Sequence, residues 1–450
     1  MVAQINRLRQ KFNFKQLICL FGMLFYAVKA FAEPILLSDD ETETLLENIV
    51  RPIFNVAGVT YDPNKIHLLD DMSLNAFVSD GNNLFVNVGT LMAADNVNEI
   101  SGILAHETGH IAGGHILRQK LKINDLKFLS AMSLLAAGAT AVASGRGDVA
   151  MAMALGSHGS LINAMLAYQM TEERSADESA VKYLKELGQS PAGLKNFMKT
   201  IQKNNRTSGI DETPYFTTHP MNAERTAFFE KATKDNGGRV SSPLDTDLKF
   251  VQAKLSAFLL PPERANIRYP KTDRSLPAKY AHAIVKFKEN KLSEALSLLN
   301  DLIESKPNNP YFYQLKGQFL FERGKIKEAT ATFEKALELK PDSNETMLMY
   351  AESALEEDGQ TKNLQDIIDV LNKLQIRKET PRGWELLSRA YHEKGNDAES
   401  LYAAAKYSFL IGNVDVAKKQ IKKASSLKTS ESLKLRLSDL ENQIENEQDE

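Results

Sequence analysis

A 34-residue period runs through the C-terminal half of the chain and leaves little choice of architecture there. Pro307 recurs as Pro341, and Ala295 recurs as Ala329. A repeat of that length is one pair of helices, and one pair alone cannot bury its apolar face. Small residues at fixed positions let helices pack closely, so the pairs are expected to stack into an α-solenoid with a concave binding surface. The unit over residues 310–343 places Tyr313, Gly317, Gly324, Ala329, Phe333, Ala336 and Pro341 at the key positions. The unit before it, 276–309, keeps Ala283, Ala295, Leu299 and Pro307. Later pairs are looser: Trp384, Leu387, Tyr391 and Gly395 mark one, and Gly412, Ala417, Ile421 and Ala424 another. A generic helical domain without true repeats is the alternative. The repeat region is read as 276–430, followed by an acidic tail over 431–450 whose end, Glu441 to Glu450, is expected to be disordered.

The other end reads as an export signal. Residues 1–32 carry Arg7, Arg9, Lys11, Lys15 and Lys29 and no acid. An apolar stretch then runs from Leu17 to Val28, and Ala30-Phe31-Ala32 has the small-x-small cleavage pattern. Twelve apolar residues fall short of the roughly 20 that span a bilayer, so cleavage before Glu33 is expected rather than anchoring. Ile18 before Cys19 disfavours a lipoprotein signal. Cys19 is the only cysteine and leaves with the signal, so any metal must be held by His, Asp or Glu. Removing the signal leaves 50 basic and 58 acidic residues, a balance that argues against a nucleic-acid partner.

Between these ends, Ser38 to Val50 has helical apolar spacing that Pro52 is expected to break. Ile66–Leu69, Asn75–Val78 and Leu84–Val88 read as short strands, the last two paired as a hairpin through the 79–83 turn. His67 is a strand residue without a role. Asn96 and Glu99 form a capping-box-like start for a helix expected to reach about Lys120. That helix carries His106-Glu107-Thr108-Gly109-His110. At roughly 100° per residue the two histidines stand about 40° apart on one face, so both can bind one metal ion with Glu107 beside them to move protons. A third histidine ligand at 116 is absent, since Ile116 stands there. Along a continuous helix His115 points about 180° away from His106 and is read as a packing or supporting residue. The apolar, alanine-rich segment 129–155 reads as a mobile lid or re-entrant hairpin, with peripheral membrane contact as the second possibility; His158 reads as a loop residue. Glu173 and Asp177, four apart, share a helix face.

H-E-T-G-H at 106–110, E-R-S-A-D at 173–177, and Thr218-His219-Pro220 followed by Arg225 together resemble the zinc metallopeptidases of the HtpX and CAAX-prenyl-endopeptidase type, which are gluzincins. The hairpin from Asn75 to Leu91 resembles the strand pair before the motif helix in that family, and the similarity covers about residues 40–235. The resemblance implies one Zn2+ per chain on His106, His110 and Glu173, a set that leaves a fourth position for water. It implies Glu107 as catalytic base. Asp177 lies beside the site by the same reasoning, either orienting a ligand histidine or donating a proton. The likeness is nearest to periplasmic, repeat-bearing members. By that carry-over His219 is a reversible fourth ligand or helps stabilise the oxyanion. The period at 310–343 resembles tetratricopeptide repeats. The chain departs from HtpX itself in lacking convincing transmembrane helices.

The expected architecture is α+β and mostly α: a gluzincin metallopeptidase domain with a small β-sheet over 33–265, a linker over 266–275, then the α-solenoid. The expected function is that of a periplasmic zinc endopeptidase acting on polypeptides. By resemblance, its substrates are misassembled outer-membrane proteins and its partner, through the repeats, is outer-membrane assembly machinery. The alternatives are a chaperone or scaffold with a latent peptidase domain and a membrane-anchored prenyl-protein-type protease.

Overall fold

The computed structural model describes residues 35–125, 127, 129, 132, 147–208, 214–235, 241–357 and 363–449. The signal-peptide reading and most of the 129–155 segment lie outside the described residues. Strand β1 (Leu36–Leu37) precedes helix α1 (Asp40–Ala57), whose cap Asp39 accepts the Thr42 N–H at 3.0 Å. Pro52 does not break α1, which runs on to Gly58 in the left-handed region, φ 69°. A proline here costs one helical hydrogen bond, but Leu45, Leu46, Ile49, Val50, Ile53 and Phe54 form one buried face on both sides of it. Their burial outweighs that bond.

Strands β2 (Ile66–Leu69), β3 (Ala76–Ser79) and β4 (Asn83–Asn87) lie where the alternation predicts them. The sheet order is β1-β2-β4-β3, with β3 antiparallel and β2 parallel to β4. Strand β3 is therefore an edge. His67 stacks on Phe85 and meets Asn83 at 2.9 Å, a structural role. After helix α2 (Val88–Ala93) comes the motif helix, α3 (Val97–Gly113). Glu99 accepts the Asp95 N–H at 3.1 Å, one residue before the cap whose N–H a capping box would take. The Asn96 side chain does not cap; Asp245 takes the Val97 N–H at 2.8 Å instead. The helix also stops earlier than expected, because Gly114 adopts φ 63° and closes it. Helix α4 (residues 115–125) restarts after that kink.

Helix α5 (Gly147–Glu186) is 40 residues long and carries His158, which is thus helical rather than in a loop. Helices α6 (Ala192–Ser208), α7 (Pro214–Thr218) and α8 (Ala223–Asp235) follow. Leu84, Leu91, Ile100, Phe197, Tyr215 and Phe229 belong to one buried cluster that joins sheet and helices. Helix α9 (Asp245–Leu259) faces two cores: Leu248, Val251 and Leu255 enter the first, while Phe250, Ala253 and Ala257 enter the next. Helix α10 (Pro262–Arg268) runs into the stretch read as a linker over 266–275, and its Ala265 is buried in one cluster with Tyr280 and Ile284.

Helix pairs then stack as the period predicts. They are α11 (Leu276–Lys288) with α12 (Leu292–Ser305), α13 (Pro310–Phe321) with α14 (Ile326–Leu339), and α15 (Asn344–Glu356) with α16 (Leu364–Arg377). Next come α17 (Pro381–Glu393) with α18 (Asp397–Leu410), then α19 (Val414–Ser425) and α20 (Glu431–Asp449). The tail expected to be disordered is therefore helical. Leu433, Leu437, Leu440 and Ile444 recur on one face and bury against Ala417 and Ile421. Among the described residues, no helix is long and apolar enough to cross a membrane.

The start of α1 is tied to the repeats by buried polar groups. Asp40 accepts from the Ser343 hydroxyl and from the Glu345 N–H at 3.0 Å, while Glu345 accepts the Asp40 N–H at 3.2 Å. Each helix thus caps the other. Beside them Lys254 pairs with Asp39 and lies 3.6 Å from Glu41, which also accepts from the Tyr280 hydroxyl at 3.0 Å. Burial pushes the Glu41 carboxyl up to about 7, against the pull of Lys254. Between the unfolded value near 4.5 and 7 the folded chain therefore holds the extra proton, and stability falls as pH rises. A Glu41→Gln chain lacks that penalty. Its stability relative to wild type should rise by on the order of 3 kcal/mol between pH 4.5 and pH 8, read from urea midpoints. A difference that does not change with pH would refute this.

Candidate metal centre

The site forms where α3 crosses α5, and the crossing depends on a residue inside the motif. A Cβ on Gly109 would lie 2.9 Å from the Ala176 carbonyl oxygen and 3.0 Å from its Cα. Only glycine lets the helices approach this closely, and the approach sets His106 and His110 against Glu173 and Asp177. All four side chains are buried, and Glu107 is fully so.

Four donor atoms converge. His106 Nε2 lies 3.1 Å from His110 Nε2 and 3.3 Å from both Glu173 Oε2 and His219 Nδ1. Glu173 Oε1 lies 3.4 Å from His110 Nε2 and 2.9 Å from His219 Nδ1. A tetrahedron of ligands about 2.0–2.1 Å from a zinc ion has edges of about 3.3 Å; with one ligand atom from each residue the four lie within 4.8 Å of one another, close enough to close on such an ion. Three imidazoles and a carboxylate turned inward at this distance, away from water, are a set that a divalent cation satisfies. Burial pushes His110 and His219 down, which keeps their lone pairs free. Burial also lowers His106, but Asp177 and Glu173 prevail and raise it to about 10; a cation bound here would take the place of that proton.

His219 follows α7 and rests on Tyr215, whose ring centroid is 4.7 Å from its own. Its backbone N–H donates to the Tyr215 carbonyl at 2.7 Å, and its ring Nε2 lies 3.5 Å from Glu107. Burial pushes the Glu107 carboxyl up to about 7, although His106 and His110 pull it down. Asp177 Oδ1 lies 2.9 Å from His106 Nδ1, the nitrogen facing away from the cluster. Burial favours the neutral form of Asp177, but His106 and Arg225 hold it below the usual carboxylate range.

Arg225 is the residue whose part sequence reasoning missed. Its Nε and Nη2 donate to the two Asp177 oxygens at 2.7 and 2.9 Å, and its Nη1 reaches Glu173 Oε2 at 2.9 Å. Nη1 also donates to the Pro220 carbonyl at 2.8 Å, which pins the loop carrying His219. The only signal was its position shortly after His219-Pro220.

The cluster opens into a cleft of about 310 Å³ walled by Phe77 and Val78 of β3, with Tyr168, Gln169 and Thr218 opposite. His115, which a straight helix would turn away, lines this cleft, with its Nδ1 2.8 Å from His110 Nδ1.

Comparison with known proteins agrees with this picture. Residues 40–233 match the model of peptidase family M48, and residues 310–343 match a tetratricopeptide repeat. The chain is 23% identical over 408 residues to the beta-barrel assembly-enhancing protease of Escherichia coli (strain K12), across 87% of this chain and 80% of that one. It is 22% identical over 406 residues to the putative beta-barrel assembly-enhancing protease of Vibrio cholerae serotype O1, across 88% of this chain and 82% of that one. A shorter match, 25% over 128 residues, links 28% of this chain to 26% of the mitochondrial metalloendopeptidase OMA1 of Danio rerio. The chain thus carries a peptidase family M48 domain followed by tetratricopeptide repeats, and is homologous to the beta-barrel assembly-enhancing protease.

Proposed function

We propose that the protein is an exported zinc endopeptidase that removes misassembled outer-membrane proteins. In this reading it works in the periplasm and reaches its partner, outer-membrane assembly machinery, through the repeats. One Zn2+ per chain is held by His106, His110 and Glu173. The observation that carries the reading is the convergence of these donors with His219 at tetrahedral spacing in a buried cleft. A zinc ion there supplies Lewis acidity that activates a water and polarises the scissile carbonyl. Glu107, raised to about 7, takes the proton as the water oxygen bonds to the carbonyl carbon. It then delivers that proton to the amide nitrogen as the C–N bond breaks. Asp177 orients His106 through Nδ1. Edge strand β3 has room for an extended substrate added as a further strand, which makes recognition largely backbone-directed.

The second reading is a chaperone or scaffold with a latent peptidase, and His219 is the observation that favours it. With Nδ1 2.9 Å from Glu173 Oε1 and 3.3 Å from His106 Nε2, His219 stands where the attacking water belongs. Hydrolysis then requires His219 to leave, so it acts as a reversible fourth ligand. A test of the ligand set is zinc content after dialysis: Glu173→Ala should hold at least about tenfold less than wild type. Unchanged zinc in that variant would break the proposed set.

A further inference from the structure

We infer that His115 and Glu172 form a positioning pair that fixes the ring of His110, as Asp177 does for His106. The inference rests on the metal-site reading above and deepens it. A histidine that binds a cation through Nε2 keeps its proton on Nδ1, and that N–H needs an acceptor to set the ring's tautomer and angle. His110 Nε2 faces the donor cluster, while its Nδ1 points at His115 Nδ1, 2.8 Å away. His115 must then accept through Nδ1 and carry its own proton on Nε2. That nitrogen lies 2.9 Å from Glu172 Oε2, and Arg118 Nη2 pairs with the same oxygen at 2.7 Å. Only the His110–His115 contact is hydrogen-bonded; Glu172 Oε2 stands at ion-pair distance from His115 Nε2 and takes its hydrogen bond from Arg118.

The backbone is shaped for this contact. Gly114, at φ 63°, folds the chain back so that the residue after it returns to α3. A Cβ on Gly113 would lie 2.2 Å from His115 Nε2 and 2.5 Å from its Cδ2, so the imidazole lies directly over that glycine. His115 is 3% exposed and its ring meets His110 at 85°, edge to face. Glu172 and Glu173 are neighbours on α5, about 100° apart around the helix. One carboxylate serves the donor cluster and the other the histidine behind it.

The test compares His115→Leu, which fills the volume without an acceptor, with His115→Asn, whose carbonyl oxygen stands near the place of Nδ1. Zinc affinity of the full-length chain is measured by competition with a chromophoric chelator, beside the melting temperature of the metal-free chain. We expect His115→Leu to bind zinc about 10–100-fold more weakly and His115→Asn to recover most of that loss. Their metal-free melting temperatures should match. Glu172→Ala probes the same chain from its outer end and should weaken zinc several-fold. Wild-type affinity in His115→Leu and Glu172→Ala overturns the pair, as does equal weakening in the Leu and Asn variants. A wild-type chain that binds no zinc removes the metal site and the pair together, which separates the two failures.

Discussion

Glu107→Gln should bind zinc as wild type does and hydrolyse polypeptides at least about 10³-fold more slowly, at the upper part of the range for losing a general base. Glutamine matches glutamate in shape, and the position is fully buried, so packing is kept. What goes is the group that can hold a proton near neutral pH, since burial places the Glu107 carboxyl at about 7. The measurement is kcat on an unfolded polypeptide, in the wild-type chain and in a His219→Ala background that frees the fourth vertex. A Glu107→Gln chain as active as its parent in that background would end the peptidase mechanism. Wild-type and His219→Ala chains that both cleave nothing, with cells unaffected by Glu107→Gln, would leave the scaffold reading standing.

Arg225→Met should destabilise the fold by about 3–5 kcal/mol, the usual result of removing one partner from a buried ion pair. The guanidinium is 3% exposed and meets both oxygens of Asp177 and one of Glu173. Methionine fills the space but leaves two buried carboxylates facing each other with less compensation. Lysine cannot replace the planar fork, so Arg225→Lys should recover little. The sign with pH is set by Asp177, which is held below its ordinary 3.8 in the folded chain. Its contribution is present above that value and is lost as pH falls through the lower, folded one, so the deficit of the variant should shrink in acid. Urea unfolding with and without chelator is the measurement. A loss below about 1 kcal/mol in both conditions would show that the pairing matters little.

What could be read from the sequence follows from the range of the forces involved. His106, Glu107 and His110 are legible because one helix turn sets their relation, and Glu173 and Asp177 share a face of α5 for the same reason. The strands and the helix pairs around Pro307 and Pro341 are legible from local periodicity. His115 is not, because its direction depends on a single left-handed residue at Gly114; a helix continued through that point turns it the wrong way. Pro52 misleads in the other direction, since a tertiary face keeps α1 whole across it. The acidic tail misleads because its charges hide four apolar residues on one face. Arg225 and Asp245 act across long sequence separations. Their side chains satisfy groups on α5 and α3, and neither neighbourhood announces it.

The reciprocal caps at Asp40 and Glu345 join residues 305 apart in the chain. A contact of that span closes a very long loop, and such closures tend to come late in folding. Helix α1 therefore waits for α15 to complete its own end. Until then the Asp40 N–H and carboxylate lack their final partners. A chain cut short before Ser343 keeps every donor of the metal cluster, yet Asp40 of α1 loses the partners that Ser343 and Glu345 supply. In that sense the repeats are the keystone of the peptidase domain: completeness of the far end is registered at the near one.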